Sequence, residues 1–201
     1  LAELLRRSRI ATPPSVVLAP GALDAAEEVC GYPVVLKVPD GSFSRGVFKA
    51  ENRAQLEARS REMFDHSELI LAQAYTYTEF DWRVGVLNQE PLYVSKYYMA
   101  KRHWQIVKHG ATGTRLAGGS TTMLVEDAPR EVVKAALRAA NLIGDGFYGV
   151  DLKQAPNGDV VVIEVNDNPS VDAGVEDEVL GDQLYERVMQ DFLRRLSDIS
   201  P

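Results

Sequence analysis

Asp151 sits in the run Gly149-Val150-Asp151-Leu152-Lys153. Thirteen residues later Glu164 closes the apolar run Val160-Val161-Val162-Ile163, and Val165, Asn166, Asp167, Asn168, Pro169 and Ser170 follow. Both runs are strand-like, and Pro156-Asn157-Gly158-Asp159 between them is a turn sequence. Antiparallel pairing would bring the two carboxylates to one face, and Asn166, two residues past Glu164, falls on that face too. Two carboxylates and an amide oxygen at one point repel each other unless a cation lies between them. An oxygen-only donor set with few protein ligands suits Mg2+ or Mn2+, with phosphate and water completing the shell. The apolar neighbours of Glu164 predict a buried and therefore paired carboxylate. The alternative is a polar, solvent-facing sheet edge.

A second constellation lies near the start. Lys37 ends the apolar strand Pro33–Val38, and the loop Asp40-Gly41-Ser42-Phe43-Ser44-Arg45-Gly46 turns into the strand Val47–Ala50. Glycines let backbone N–H groups approach an anion, and a strand lysine can set an ammonium beside it. An ordinary long hairpin with an edge lysine fits the same residues.

The elements that must position these groups alternate between helix and strand. Leu1–Arg9 reads as the tail of a helix, so the chain is expected to begin inside an element, and Thr12-Pro13-Pro14 stops it. Strands are predicted at Val16–Leu18, Leu69–Ala74, Trp82–Leu87, Leu92–Met99, Trp104–Val107, Tyr148–Leu152 and Val160–Val165. Helices are predicted at Ala22–Val29, Arg53–Phe64, Arg130–Leu142 and Val179–Leu196, and Gly110–Gly119 reads as a loop. The last helix carries Leu180, Leu184, Val188, Phe192 and Leu196 as an inward stripe. A division near Thr76–Thr78 is expected, giving lobes at 1–75 and 76–201.

Composition sets the outer limits. The chain has 201 residues, 45% hydrophobic and 25% charged, with a formal net charge of −7. That fits a globular α+β protein and argues against nucleic-acid binding. No apolar run approaches the roughly 18 residues of a membrane span. One cysteine, Cys30, permits no internal disulfide, so a reducing cytoplasmic home is expected. Asp145–Asp182 carries ten acids against one base, whereas Arg83–Arg115 carries six bases against Glu90 alone. The first block suits a hard cation, and the second suits a phosphate or carboxylate.

Strand lysine and glycine loop, then a hinge, then Asp…Glu-x-Asn on two strands: this order resembles the ATP-grasp superfamily, in its branch of glutathione synthetases and RimK-like glutamate ligases. The resemblance runs over essentially the whole chain. It implies an α+β ATP-grasp fold whose two lobes, built on antiparallel sheets, sandwich the nucleotide. It implies that Lys37 contacts the phosphates and the adenine side, that Gly41, Ser42 and Gly46 close over the phosphates, and that Gln73, Ala74 and Thr76 meet adenine. Asp81, or Glu79 close by, matches the ribose-holding acid, and Arg83 resembles a phosphate- or substrate-binding arginine. Asp151, Glu164 and Asn166 match magnesium ligands. Arg115, with Lys96 or Lys101, would stabilise the γ-phosphate and an acyl phosphate, and Asn168, Ser170 and Asp172 fall where an amine pocket is built.

The implied activity is ATP-dependent carboxylate–amine ligation through an acyl phosphate, with a small-molecule or peptide acid and an amine such as an amino acid as substrates. Neither nucleic acid nor membrane is implied, and a homo-oligomer is possible. Ser44 departs from the family's second loop glycine. The acids Asp172, Glu176 and Asp177 exceed what a glutamate-ligase pocket needs, and suit either a basic acceptor or a solvated loop. The lysine and substrate domain usual before this point are not in the chain, so a portion of a longer ligase is expected. Two other readings fit: a non-catalytic ATP-binding module of the same fold, and a calcium-stabilised domain without nucleotide.

Overall fold

The computed structural model describes residues 1–39, 46–101, 103–109 and 115–199. Two compact units emerge, one spanning Pro13–Tyr77 and the other Glu3–Thr12 with Thr78–Pro201.

The first unit is a four-stranded antiparallel sheet of β1 (Ser15–Leu18), β2 (Val34–Lys37), β3 (Val47–Ala50) and β4 (Ile70–Ala74), in the order β1-β4-β2-β3. Two helices cover one face. They are α2 (Asp24–Cys30) and α3 (Arg53–Phe64), and the second has the bounds the sequence predicts. The Asn52 side chain caps α3 by accepting from the Gln55 amide, which satisfies one of the orphan N–H groups of the first turn. Leu56, Ser60 and Met63 recur at helical spacing and are buried. Leu56 and Met63 pack with Val34, Leu36, Ile70 and Ala72 from alternate strand positions. Val35, Lys37, Leu71 and Gln73 therefore share the opposite face.

The second unit holds a five-stranded antiparallel sheet in the order β11-β10-β5-β6-β9. Its strands are β5 (Phe80–Leu87), β6 (Glu90–Tyr98), β9 (Ser120–Met123), β10 (Phe147–Gln154) and β11 (Val160–Asp167). Helix α4 (Arg130–Ala140) lies on one face, where Val132, Ala136, Ala139 and Ala140 meet Trp82, Val84, Val86, Val94, Val150, Leu152 and Val162. The opening helix α1 (Ala2–Arg7), grouped with the first lobe on sequence grounds, packs into this second unit. Leu5 and Ile10 join its core, the Val162 amide donates to the Ala11 carbonyl at 2.8 Å, and Arg138 donates to the Ser8 and Arg9 carbonyls.

Three stretches differ from expectation. The strand expected at Trp104–Val107 begins only at Val107, as β7 (Val107–His109), which pairs with β8 (Arg115–Ala117). β8 lies within the stretch Gly110–Gly119 expected to be a loop, and β9 begins directly after it. Gly118 there runs so close to the chain that a Cβ would lie 1.8 Å from the Tyr98 carbonyl, and the glycine serves strand apposition. The final helix α5 (Asp182–Ile199) buries only part of its stripe. Leu184 is buried, with Leu180 and Val188 packed beside it against Leu87, Leu92, Tyr93 and Phe147, while Phe192 and Leu196 are exposed. Among the described residues no helix is long and apolar enough to cross a membrane.

Candidate functional site

The sheet face turned away from α4 is laid out in transverse rows. Strand register sets Ser95 opposite Arg83, Arg83 opposite Asp151, and Asp151 opposite Glu164. The next row runs Tyr93, Gly85, Gly149, Asn166. A β-bulge after Asp151 puts one extra residue on β11, so Leu152 pairs with Val162. The core contacts of Val162 and Val165 on either side of it are thereby kept while Glu164 stays opposite Asp151.

Asp151 is held from two sides. The Arg83 guanidinium donates from Nε to Oδ1 at 2.7 Å and from Nη2 to Oδ2 at 2.8 Å, and Asn166 Nδ2 donates to Oδ2 at 3.0 Å. The Asp151 carboxylate beside it raises the already high pKa of Arg83, so the arginine is always charged. Glu164 is exposed, contrary to the burial that its apolar neighbours predict, because Ile163 and Val165 flank it on a strand at the sheet's edge. Among the described residues no three His, Cys, Asp or Glu side chains gather. The donor set is instead two carboxylates in register and one amide, a set that fits a hard divalent cation with most of its shell supplied by water or phosphate.

The two glycines of the second row let neighbouring side chains close down on the sheet. A Cβ on Gly85 would lie 2.2 Å from the Tyr93 ring, and one on Gly149 would lie 2.7 Å from Pro169 Cβ and 3.6 Å from Arg83 Cδ. The segment after β11 folds back and is tied down by its acids. Glu176, only 1% exposed, accepts from the Tyr97 hydroxyl and from the Asp172 amide. Glu178 accepts from the Thr122 amide, and Asp177 from the Gly174 amide and the Tyr185 hydroxyl. Glu176 and Asp177, read from sequence as a basic-acceptor pocket or a solvated loop, thus serve as anchors. The expected amine-pocket residues Asn168, Ser170 and Asp172 are all exposed, Asn168 with φ 51°. The Arg83 guanidinium lies over the Tyr97 ring at 5.2 Å. Burial, and the hydrogen bond to Glu176, push the Tyr97 phenol up. Tyr93 is also shifted up by burial, and its hydroxyl has no hydrogen-bond partner among the described residues.

Asp81, expected at a ribose, is engaged by Lys153 Nζ and by the Thr78 hydroxyl at 2.9 Å, and Lys153 also donates to Thr78. Burial pushes the Asp81 carboxyl up, and Lys153 and Thr78 pull it down. Lys96 pairs with Trp82 in register and so projects from the α4 face, with its ammonium over the Phe80 and Trp82 rings at 4.7 and 4.8 Å. It is not brought together with Asp151. Arg115 starts β8, and its side chain lies outside the described residues.

In the first unit Lys37 Nζ donates to Gln73 Oε1 at 3.0 Å, and Gln73 Nε2 donates to Ser15 Oγ at 3.2 Å. The Ala74 amide is spent on the Pro14 carbonyl at 2.8 Å, and the Tyr75 amide on Pro33. Thr76 is half-buried just past β4. Gly41, Ser42 and Ser44 lie outside the described residues. Gly46 has φ 69°, and a Cβ there would lie 2.9 Å from Val38 Cγ2. Sequence reading did not single out Lys153, Tyr93, Gly85 or Gly149 as site residues. The i, i+2 spacing of Asp151 and Lys153 was the available signal for the first.

Residues 12–173 match the family model described as D-ala D-ala ligase C-terminus. The alpha-aminoadipate--LysW ligase LysX of Sulfolobus acidocaldarius is 29% identical over 83% of this chain and 59% of its own length. A probable alpha-L-glutamate ligase of Vibrio cholerae is 30% identical over 76% of this chain and 48% of its own. The chain thus spans about half to three-fifths of these relatives. Among solved structures, D-alanine--D-alanine ligase from Bacillus anthracis superposes with a TM-score of 0.76 at 17% identity, covering 99% of this chain and 67% of that one. Its complex with ATP gives 0.69 at 16% identity, covering 100% and 65%. The shared architecture is the ATP-grasp α+β fold.

Proposed function

Given that the chain belongs to the D-ala D-ala ligase C-terminus family, we propose that it is the ATP-grasp portion of an ATP-dependent carboxylate–amine ligase. One observation carries the reading. Asp151 and Glu164 are in direct register, with Asn166 in the adjacent row and an arginine in the same row as both carboxylates. A half-buried arginine beside an oxygen donor set suits an anion that arrives with its own divalent cation, as a nucleoside triphosphate does.

In the proposed reaction a carboxylate oxygen of the acid attacks the γ-phosphorus of ATP, and the bond to the β-phosphate oxygen breaks, leaving ADP and an acyl phosphate. An amine nitrogen then attacks the acyl carbon, the carbon–oxygen bond to phosphate breaks, and the nitrogen loses a proton, leaving an amide. Asp151, Glu164 and Asn166 would hold magnesium, which supplies charge neutralisation at the phosphates. Arg83 would stabilise charge on the transferring group. Lys37 and Gln73 would serve the nucleotide from the first unit, with Gly41, Ser42 and Gly46 on the phosphates, Ala74 and Thr76 at the base, and Arg115 at the acyl phosphate. Asp81 would reach a ribose only by exchanging its lysine partner, and Lys96 is given no phosphate contact. A cytoplasmic setting accords with the single cysteine.

The experiment is ADP release by the protein in the presence of Mg2+, scanned across acids and amines. Release that needs both co-substrates and is lost in Glu164→Gln supports the ligase. ATP binding without ADP formation across the panel favours a non-catalytic module.

A further inference from the structure

We propose that Arg83 is the resident counter-charge of the metal ligand Asp151, and that it leaves Asp151 for the phosphoryl group when a divalent cation takes the carboxylate. This rests on the metal-site reading above and adds an exchange to it. Three N–H groups converge on the Asp151 carboxylate, two from Arg83 and one from Asn166. A carboxylate oxygen has about two lone pairs, so Oδ2, which accepts from both donors, is saturated, and Oδ1 is half taken. The pair is well sheltered, with Arg83 and Asp151 side chains 21% and 20% exposed, so two cations on one carboxylate would repel with little screening.

The surroundings suit a swinging guanidinium. Gly149 beside the arginine's row sets no side chain against the Arg83 stem, since a Cβ there would lie 3.6 Å from Arg83 Cδ, and the Tyr97 ring already lies 5.2 Å from Arg83 Cζ as a cation-binding surface. Tyr97 is itself fixed by buried Glu176. Asn166 currently offers its N–H to Asp151, so ligation through its oxygen requires the amide to turn as the arginine leaves. The exchange keeps Asp151 paired at every stage and delivers Arg83 only after the cation is in place.

Two measurements test this. The first is Mn2+ binding without nucleotide, followed by electron paramagnetic resonance, for wild type, Arg83→Lys and Arg83→Gln. Lysine keeps the charge but cannot form the two-pronged contact. The proposal expects both variants to bind Mn2+ about tenfold more tightly than wild type, the scale of losing a charged hydrogen-bonded clamp. A lysine variant that matches wild type while the glutamine variant tightens would reduce the effect to general charge repulsion and overturn the exchange. Unchanged affinity in both would overturn it as well. The second uses wild type alone. The nitrogen-15 resonance of Arg83 Nε–H should shift when Mg2+ and a non-hydrolysable ATP analogue are added together, and a resonance unmoved at saturation contradicts the proposal. If wild type and variants all fail to bind Mn2+ even with the analogue, the metal-site reading itself is wrong.

Discussion

Arg83 on β5 and Asp151 on β10 stand opposite each other in register and share two hydrogen bonds of 2.7 and 2.8 Å. Glu164 lies opposite Asp151 on the next strand, so one row across three strands carries a cation and two carboxylates. Alternation of side chains in the sheet puts all three on the face away from α4. The chemistry of the site follows from that parity.

Glu164 is exposed, so changing it costs little structure. Glu164→Gln is expected to shift folding stability by no more than about 0.5 kcal/mol. The rate of Mg2+-dependent ADP formation should fall about a hundredfold or more. Thermal unfolding and a coupled ADP assay on the same preparation separate the two effects.

Gly149→Ala and Gly85→Ala act by crowding. The first places a Cβ 2.7 Å from Pro169 and the second 2.2 Å from the Tyr93 ring. Each is expected to cost roughly 1–3 kcal/mol, the Gly85 change the more because a whole ring must move. Denaturant unfolding measures both.

Much of this was legible in the residues. The i, i+2 relation of Glu164 and Asn166, and a turn sequence between two strand-like runs, were enough to put three donors on one face. The bounds of α3 followed from helical spacing. What escaped the reading depended on partners distant in sequence. Lys96 lies among the bases of Arg83–Arg115, and only the β5–β6 register, which pairs it with Trp82, shows that it faces α4. The acids after β11 read as a charged loop because the tyrosine and threonine that they bind lie 79 and 56 residues away. Gly118 reads as a loop residue until the neighbouring strand is seen to press against it.

Lys153 and Asp81 form a sheltered pair with 12% and 18% side-chain exposure. Lys153→Met leaves the carboxylate unpaired and should cost roughly 3–5 kcal/mol at neutral pH. The pH sign is fixed by the direction of the shift. Burial already holds the Asp81 carboxyl above its ordinary 3.8, and losing the lysine raises it further. The folded variant then keeps a proton that the unfolded chain has lost. Its stability is fullest below about pH 4 and declines as pH rises through the folded value. Adding Asp81→Asn should recover most of the loss and flatten the profile, which unfolding midpoints across pH would register.

Tyr93 and Tyr97 are both shifted upward from an ordinary 10.0, by burial first. Folded phenols that hold their protons longer than unfolded ones add stability below pH 10, and that stability is lost as pH climbs toward the folded values. Tyr97→Phe should soften this alkaline loss. At neutral pH it should cost about 1–3 kcal/mol, because buried Glu176 loses a donor. Stability curves at neutral and alkaline pH compare the two.

In the proposed site Asp151, Glu164 and Asn166 gather one divalent cation carried with a nucleoside triphosphate. Paramagnetic broadening tests it most directly. Mn2+ added with a non-hydrolysable ATP analogue should erase the backbone amide signals of residues 151, 164 and 166 before those elsewhere on β10 and β11, with Glu164→Gln abolishing the effect. If those three signals persist while another part of the chain broadens, the cation binds elsewhere and these three residues are not its ligands.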